Sequence, residues 1–100
     1  MFEVVADANR RRILDLVRDE ERAVSDLVAA LGMSQPAVSK HLRLLREAGV
    51  VEVRVAAQRR LYRLRAEPLQ EIDAWLAPYR RAWRDRLDTL ARHLDEMPDL

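Results

Sequence analysis

The sequence predicts a mainly helical chain of the α+β class, with one small β-hairpin and a long terminal helix. Three observations support this prediction. Over most of the chain, apolar residues recur every three or four positions, the period of a helix packed on one side. Between residues 50 and 65 the period becomes two, as in half-buried strands. With 49% hydrophobic residues, residues 1–100 suit a single globular domain.

Three helices are predicted before the hairpin, and each has a start signal. Asp7, Ser25 and Ser34 can cap them, because short carboxylate or hydroxyl side chains accept hydrogen bonds from the free N–H groups of a helix start. Gly32 suits the left-handed position just after the second helix. Gly49 is predicted to end the third.

The hairpin is predicted over about residues 50–65. Valines alternate with charged residues from Val51 to Val55, and residues 60–65 continue a strand-like pattern. Residues 56–59 form a short turn between the two strands, which makes the pair a hairpin.

The remainder of the chain, about residues 68–97, is predicted to be helical. Proline lacks a backbone N–H and clashes with the preceding turn of a helix. Pro78 is therefore expected to break or kink this stretch, or to lie in the first turn of a new helix.

The net charge of +1 conceals a basic centre between acidic flanks. Residues 34–65 hold eight basic groups against two acidic ones, whereas the net charges of residues 1–33 and 66–100 are −2 and −3. Taken alone, a charge run is more often a solvated face. The same distribution is also the electrostatic pattern of a nucleic-acid surface.

The order of the elements favours DNA. Two short helices joined by a glycine-containing turn, about residues 25–48, are followed by a basic hairpin, as in a winged helix-turn-helix. The helix after Ser34 is second in the pair, the position of a recognition helix. Glutamine can read adenine, serine can reach bases or phosphates, and lysine and arginine neutralise phosphate or read guanine. The residues of this helix predicted to face away from the core are Gln35, Pro36, Ser39, Lys40 and Arg43.

Three runs of the sequence match one family of DNA-binding proteins: ADANRRRIL at 6–14, SDLVAALGMSQPAVSKHLRLLREAGVVE at 25–52 and RRLYRL at 59–64. On these runs the chain resembles the ArsR-type winged helix-turn-helix repressors. The resemblance implies a homodimer that binds an inverted-repeat operator in double-stranded DNA and represses transcription. It places the recognition helix in the major groove and the wing arginines at the backbone or minor groove. The predicted DNA-binding residues are Ser34, Gln35, Pro36, Ser39, Lys40, His41, Arg43, Arg59 and Arg60.

An apolar stripe on the C-terminal helix predicts a dimer. Its aromatic residues, Trp75, Tyr79 and Trp83, are four positions apart, and leucines continue the spacing towards Met97. Such a stripe is more often packed against another helix than used as a ligand box, and the resemblance also places the dimer interface on the terminal helices. The predicted interface residues are Phe2, Tyr79, Trp83, Leu87, Leu90 and Leu94.

Many members of that family sense metals, and the resemblance places their sites at two positions. Residues 23–27 of the first helix of the pair contain no cysteine. The C-terminal helix offers His93 and Glu96, but Arg80 and Ala82 stand where an acid and a histidine are required. A closed site needs about four ligands, so neither a metal site nor a cofactor is predicted. Any small-molecule effector stays unknown.

Other classes of function are less well supported. Two glycines leave no phosphate-cradling loop, and His41 and His93 lie on separate elements, so no enzyme is predicted. His41 is interpreted as half-buried and bonded to a carbonyl or a group on the phosphate side. The absence of cysteine and of a run of ~20 apolar residues predicts a cytoplasmic protein without a membrane span. A metal-responsive repressor and a helical protein-interaction module stay as alternatives.

Overall fold

The computed structural model describes residues 2–96, so the predicted stripe residue Met97 lies outside the described residues. The predicted fold class is confirmed: the chain is mostly helical and carries a small antiparallel sheet. The chain divides into two compact units between Leu69 and Gln70. The elements are α1 Phe2–Ala6, α2 Ala8–Val17, β1 Arg22–Ala23, α3 Val24–Leu31, α4 Gln35–Glu47, β2 Val51–Ala56, β3 Arg59–Leu64 and α5 Glu67–Glu96.

The first unit is built around one apolar core. Helices α2, α3 and α4 each contribute residues spaced three or four apart, which is the spacing that keeps side chains on one face of a helix. Val50, Val51 and Tyr62 from the sheet region complete the cluster. The core residues contributed by the helices are Ile13, Leu14, Val17, Leu27, Leu31, Val38, Leu42 and Leu45.

The predicted caps of α2 and α4 are confirmed, whereas that of α3 is wrong. Asp7 Oδ1 accepts from the Asn9 backbone N–H at 2.8 Å, and Ser34 Oγ accepts from Ala37 at 3.3 Å. Helix α3 begins at Val24, with Ala23 as its cap. Ala23 is held in β1 by pairing with β3, so the chain turns into the helix before Ser25.

The end of α4 positions the hairpin. Gly49 has φ +77°, its N–H donates to the Arg46 carbonyl at 3.0 Å, and the Val50 N–H donates to the Leu45 carbonyl at 3.1 Å. This is the Schellman pattern that glycine favours at a helix end. It satisfies two carbonyls of the last turn and delivers the fully buried Val50 directly into the core.

The sheet has three strands in the order β1-β3-β2. Strands β2 and β3 pair antiparallel as far as Ala56 opposite Arg59, so the turn is shorter than the predicted 56–59 and consists of Ala57 and Gln58 alone. Strand β1 was not predicted from the sequence, because two residues are too few to show an alternating pattern. It pairs with β3 through Arg22 opposite Tyr62.

The tip of the β2–β3 hairpin, which we call the wing, carries a strained residue. Ala57 has φ +56°, a region that costs a non-glycine residue roughly 1–2 kcal/mol. Ala57→Gly should therefore raise the free energy of unfolding by about 0.5–1 kcal/mol after the greater chain entropy of glycine is subtracted. Urea unfolding at fixed protein concentration measures the effect. Ala56→Gly, one residue earlier in β2, should instead lower the free energy of unfolding; the same sign for both variants would contradict the strain.

The second unit is the remainder of α5, which is one continuous helix. Of the three outcomes predicted for Pro78, the break and the start of a new helix are wrong, since the helix runs from Glu67 to Glu96 with Pro78 inside it; the kink stays a prediction. Proline deprives the Ala74 carbonyl of its helical donor. Both residues are exposed, so water can bind that carbonyl and the helix continues. No helix within residues 2–96 is both long and apolar enough to cross a bilayer.

Candidate nucleic-acid interface

Helix α4 has two distinct faces. Val38, Leu42 and Leu45 are at most 1% exposed and fix the helix on the core. The residues predicted to face outward, Gln35, Pro36, Ser39, Lys40 and Arg43, are all exposed. This arrangement follows from the helical period, since residues three and four apart lie on the same face.

A groove of about 410 Å³ lies between α4 and β3. It brings together Gln35, Ser39 and Arg43 of the helix with Arg60 of the wing, although these residues are up to 25 positions apart in the sequence. Leu42 and Tyr62 are among its apolar lining residues. The groove therefore combines hydrogen-bonding groups and cations on a rigid support. We call these residues, with Arg46, the α4–wing groove.

Arg46 is a member of this groove that the sequence analysis missed. It lines the groove beside Arg43 and follows Ser39 by seven positions, two turns of helix along the same face. That spacing was the signal that could have identified it.

The predicted basic centre is divided into paired and unpaired charges. Four of its eight basic residues form ion pairs: Arg54 with Glu21, Arg59 with Asp26, Arg63 with Glu52 and Arg65 with Glu67. The remaining four form no ion pair with any described residue. These four cations are Lys40, Arg43, Arg46 and Arg60, three of which line the α4–wing groove.

The pair of Arg54 and Glu21 is the best formed of these. Arg54 Nε and Nη2 donate to both carboxylate oxygens of Glu21 at 2.7–3.0 Å. The hydrogen bond from Arg54 lowers the pKa of Glu21, and the carboxylate in turn raises the pKa of Arg54. The positive charge of Arg54 is therefore already paired with a carboxylate of the same chain.

Five of the predicted DNA-binding residues lie outside the groove: Ser34, Pro36, Lys40, His41 and Arg59. Ser34, Pro36 and Lys40 are exposed at the N-terminal half of α4, where the Ser34 hydroxyl caps the helix. Arg59 donates from Nη2 to Asp26 of α3 at 3.5 Å, and both side chains are well exposed. An exposed pair of this length is weak, so Arg59 can exchange its partner for a phosphate.

His41 lies on the other side of α4 and also lines no part of the groove. It is half-buried as interpreted from the sequence. Its neighbour is not the expected carbonyl or phosphate-side group, however: Nδ1 lies 3.5 Å from Nη1 of Arg10 on α2. The sequence showed no sign of this contact, because the two residues are 31 positions apart.

The apolar stripe of α5 is exposed. At about 100° per residue, the five stripe residues between positions 79 and 94 lie within about 80° of one another around the helix axis. The rings of Trp75 and Tyr79 lie 5.0 Å apart at 44°. Phe2 of α1 is also 54% exposed. The exposed stripe residues are Tyr79, Trp83, Leu87, Leu90 and Leu94, at 52–67%.

Within residues 2–96 no group of three or more histidine, aspartate or glutamate side chains is placed to hold a metal ion. The sequence contains no cysteine. Arg80, which stands where a metal ligand was required, donates to Asp73 at 2.5 Å.

The sequence is similar to known regulators over nearly its whole length. Residues 7–53 match the family described as bacterial regulatory protein, arsR family. The arsenic resistance transcriptional regulator ArsR1 of Pseudomonas putida is 40% identical over 98 residues, 97% of this chain and 77% of that protein. The chain belongs to the arsR family. The match over residues 7–53 includes all of α4.

Other relatives agree with the assignment to the arsR family. The transcriptional repressor SdpR of Bacillus subtilis is 30% identical over 76 residues, which are 76% of this chain and 84% of that protein. A crystal structure of a possible transcriptional regulator for arsenical resistance superimposes with a TM-score of 0.71 at 36% identity, covering 97% of this chain and 96% of that one. As an arsR-family protein, the chain is a DNA-binding transcriptional regulator and not an enzyme.

Proposed function

We propose that the chain is a homodimeric cytoplasmic repressor that binds an inverted-repeat operator, each subunit acting as one winged helix-turn-helix domain. One observation carries the proposal. The four cations of the basic centre that have no ion pair among the described residues lie on α4 or face it from β3. Cations without internal partners can release condensed counterions from DNA, the main source of affinity for phosphates.

Helix α4 reads the bases. Gln35, Ser39 and Arg43 lie along one ridge about 12 Å long, which matches three to four base pairs in the major groove. Arg43 at the end of this ridge, Lys40 and the wing residues Arg59 and Arg60 neutralise the flanking phosphates, while Ser34 and Pro36 place the start of the helix against the DNA backbone. Phosphate contacts of this kind set the register, and the base contacts provide the specificity.

The homodimer forms through the stripe of α5 together with Phe2. Tyr79 and Trp83 are 60% and 67% exposed, and large aromatic side chains at such positions are typical of interfaces. A two-fold dimer would place its two recognition helices about 34–36 Å apart, one turn of DNA. No metal ion or thiolate-bound effector belongs to the proposal, because the sequence has no cysteine and only half a ligand set on α5.

Selection of bound sequences from random DNA tests the function. We expect the wild-type protein to enrich an inverted repeat with half-site centres about 10 base pairs apart, or a multiple of that spacing. Bound sequences that are no different from the starting pool would contradict sequence-specific binding.

Gln35 is expected to determine one base. Gln35→Ala should relax the preference at a single position of each half-site, at a cost of about 1–3 kcal/mol in discrimination if the contact is bidentate. Competition binding with operators substituted at each position measures this. Gln70→Ala, the same change at an exposed position of α5, is the control and should leave every position unchanged. A loss spread evenly over all positions in Gln35→Ala would refute a base contact.

A further inference from the structure

Arg10, near the start of α2, contacts two other helices with one side chain. Its Nε donates to the Val4 carbonyl of α1 at 2.6 Å, and its Nη2 donates to the Glu3 carbonyl at 3.0 Å. Its third nitrogen, Nη1, lies 3.5 Å from Nδ1 of His41 on α4. Since a guanidinium group has donors only, Nδ1 of His41 can take part in this hydrogen bond only as the acceptor.

The adjacent Arg11 also donates hydrogen bonds to α1, but its described hydrogen bonds do not extend to α4. Its Nη1 donates to the carbonyls of Val5 and Ala6, at 3.1 and 2.8 Å. Together the two arginines supply donors to the last four carbonyls of α1, which lack helical partners. Helix α1 has no fully buried residue, so these hydrogen bonds add to the packing of its half-buried Val4 and Val5 against the core. Of these two arginines, Arg10 alone has a side-chain hydrogen bond to α4 within residues 2–96.

The backbone of Arg10 is fixed as well. Its N–H donates to the Asp7 carboxylate at 3.1 Å within the cap of α2, and this hydrogen bond holds the pKa of Asp7 below its usual value. The side chain is thus restrained at both ends, by its backbone in the cap of α2 and by two guanidinium nitrogens bonded to α1. Its distance to His41 therefore depends on where α1 lies.

We propose that Arg10 is a positioning residue for DNA reading: it joins α1 to His41 and so adjusts the placement of the recognition helix α4, which its apolar face holds on the core. The inference rests on the proposed function, because α4 must be the helix that reads DNA. It also links the dimer interface to the operator, since Phe2 of the interface is on α1. Small shifts of α4 weaken base contacts, whose hydrogen bonds depend steeply on angle, more than they weaken Coulombic attraction to phosphates.

The specificity ratio, the affinity for the selected operator divided by that for a scrambled duplex of equal length, tests the proposal. Arg10→Lys keeps the charge but replaces the fork by a single ammonium group that cannot reach α1 and His41 together. Fluorescence anisotropy at one salt concentration should show a ratio lowered about tenfold. The matched control, Arg11→Lys, should keep the ratio within about twofold of the wild-type value.

Variants of His41 test the other end of the contact. His41→Leu removes the acceptor, whereas His41→Gln retains one, and the two new residues have similar helix propensities. The leucine variant should lose specificity to the same extent as Arg10→Lys, and the glutamine variant should stay within about threefold of wild type. The double variant Arg10→Lys with His41→Leu should lose no more than either single variant, because both remove the same hydrogen bond.

The outcomes are distinguishable. A wild-type protein without preference for the operator would overturn the proposed function and this inference with it. A specific wild-type protein with an unchanged ratio in Arg10→Lys, an equal loss in Arg11→Lys, or fully additive losses in the double variant would overturn this inference alone. If Arg10→Lys melts below the assay temperature, equal ratios in His41→Leu and His41→Gln would be sufficient to overturn it.

Discussion

Replacing Arg43 and Arg60 together by alanine should weaken operator binding by roughly 10- to 100-fold near ~0.1 M salt. The slope of log affinity against log salt should become shallower by about 2, because each of the two arginines neutralises one phosphate. Both arginines line the α4–wing groove and have no ion pair with a described residue. Each can therefore bind phosphate without first breaking an ion pair. A salt titration of the two affinities, measured by anisotropy, gives both quantities.

The chain offers a matched control for this experiment. Arg54→Ala with Arg63→Ala removes the same formal charge from the same segment. These two arginines are already paired, with Glu21 at 2.7 Å and Glu52 at 2.5 Å. We expect their removal to change the slope of log affinity against log salt by less than about 0.5, because arginines that are already ion-paired release few counterions from DNA. Equal reductions in affinity in the two double variants would mean that total charge decides affinity and that the groove is not the DNA surface.

Leu90→Asp should convert the proposed dimer into a monomer and reduce operator affinity by roughly 100-fold or more, since a monomer can bind only one half-site at a time. Leu90 lies near the middle of the apolar stripe and is 53% exposed within the single chain. In the proposed dimer that side chain is covered, and a carboxylate buried there without a partner is strongly unfavourable. Size-exclusion chromatography with light scattering measures the mass, and anisotropy measures the affinity.

Thr89→Asp is the control for the stripe. Thr89 is the preceding residue, is also exposed, and points about 100° away around α5. The same new charge at that position should leave both the mass and the affinity near their wild-type values. A Leu90→Asp protein that is still dimeric, or a wild-type protein that is monomeric at micromolar concentration, would place the interface elsewhere.

Several features of the fold were predictable because they depend on near neighbours. The cap at Asp7, the left-handed glycines and the change of period after Gly49 each involve residues within a few positions of one another. Where a prediction from near neighbours was wrong, the cause was a contact between residues that are far apart in the sequence. Ser25 is not a cap because β1 fixes Ala23 against β3.

The candidate site was only partly predictable. The outward face of α4 follows from its period, so Gln35, Ser39 and Arg43 could be identified in advance. Arg46 lies on the same face and was missed although the same period contained it. The contact of His41 with Arg10 could not be predicted, because it depends on how α2 packs against α4.

By itself the sequence determined the order of α2, α3, α4 and the hairpin, the outward face of α4 and the presence of a basic centre, since periodicity, caps and composition are local properties of the chain. Only the tertiary structure decided which of the eight basic residues form an ion pair with a carboxylate and which have none among the described residues. Arg54 and Arg59 find carboxylates 33 positions away, and a partner at that distance exists only once β2 and β3 have folded beside α3 and the segment before β1. Folding thus places three of the four cations that have no ion pair among the described residues in one groove.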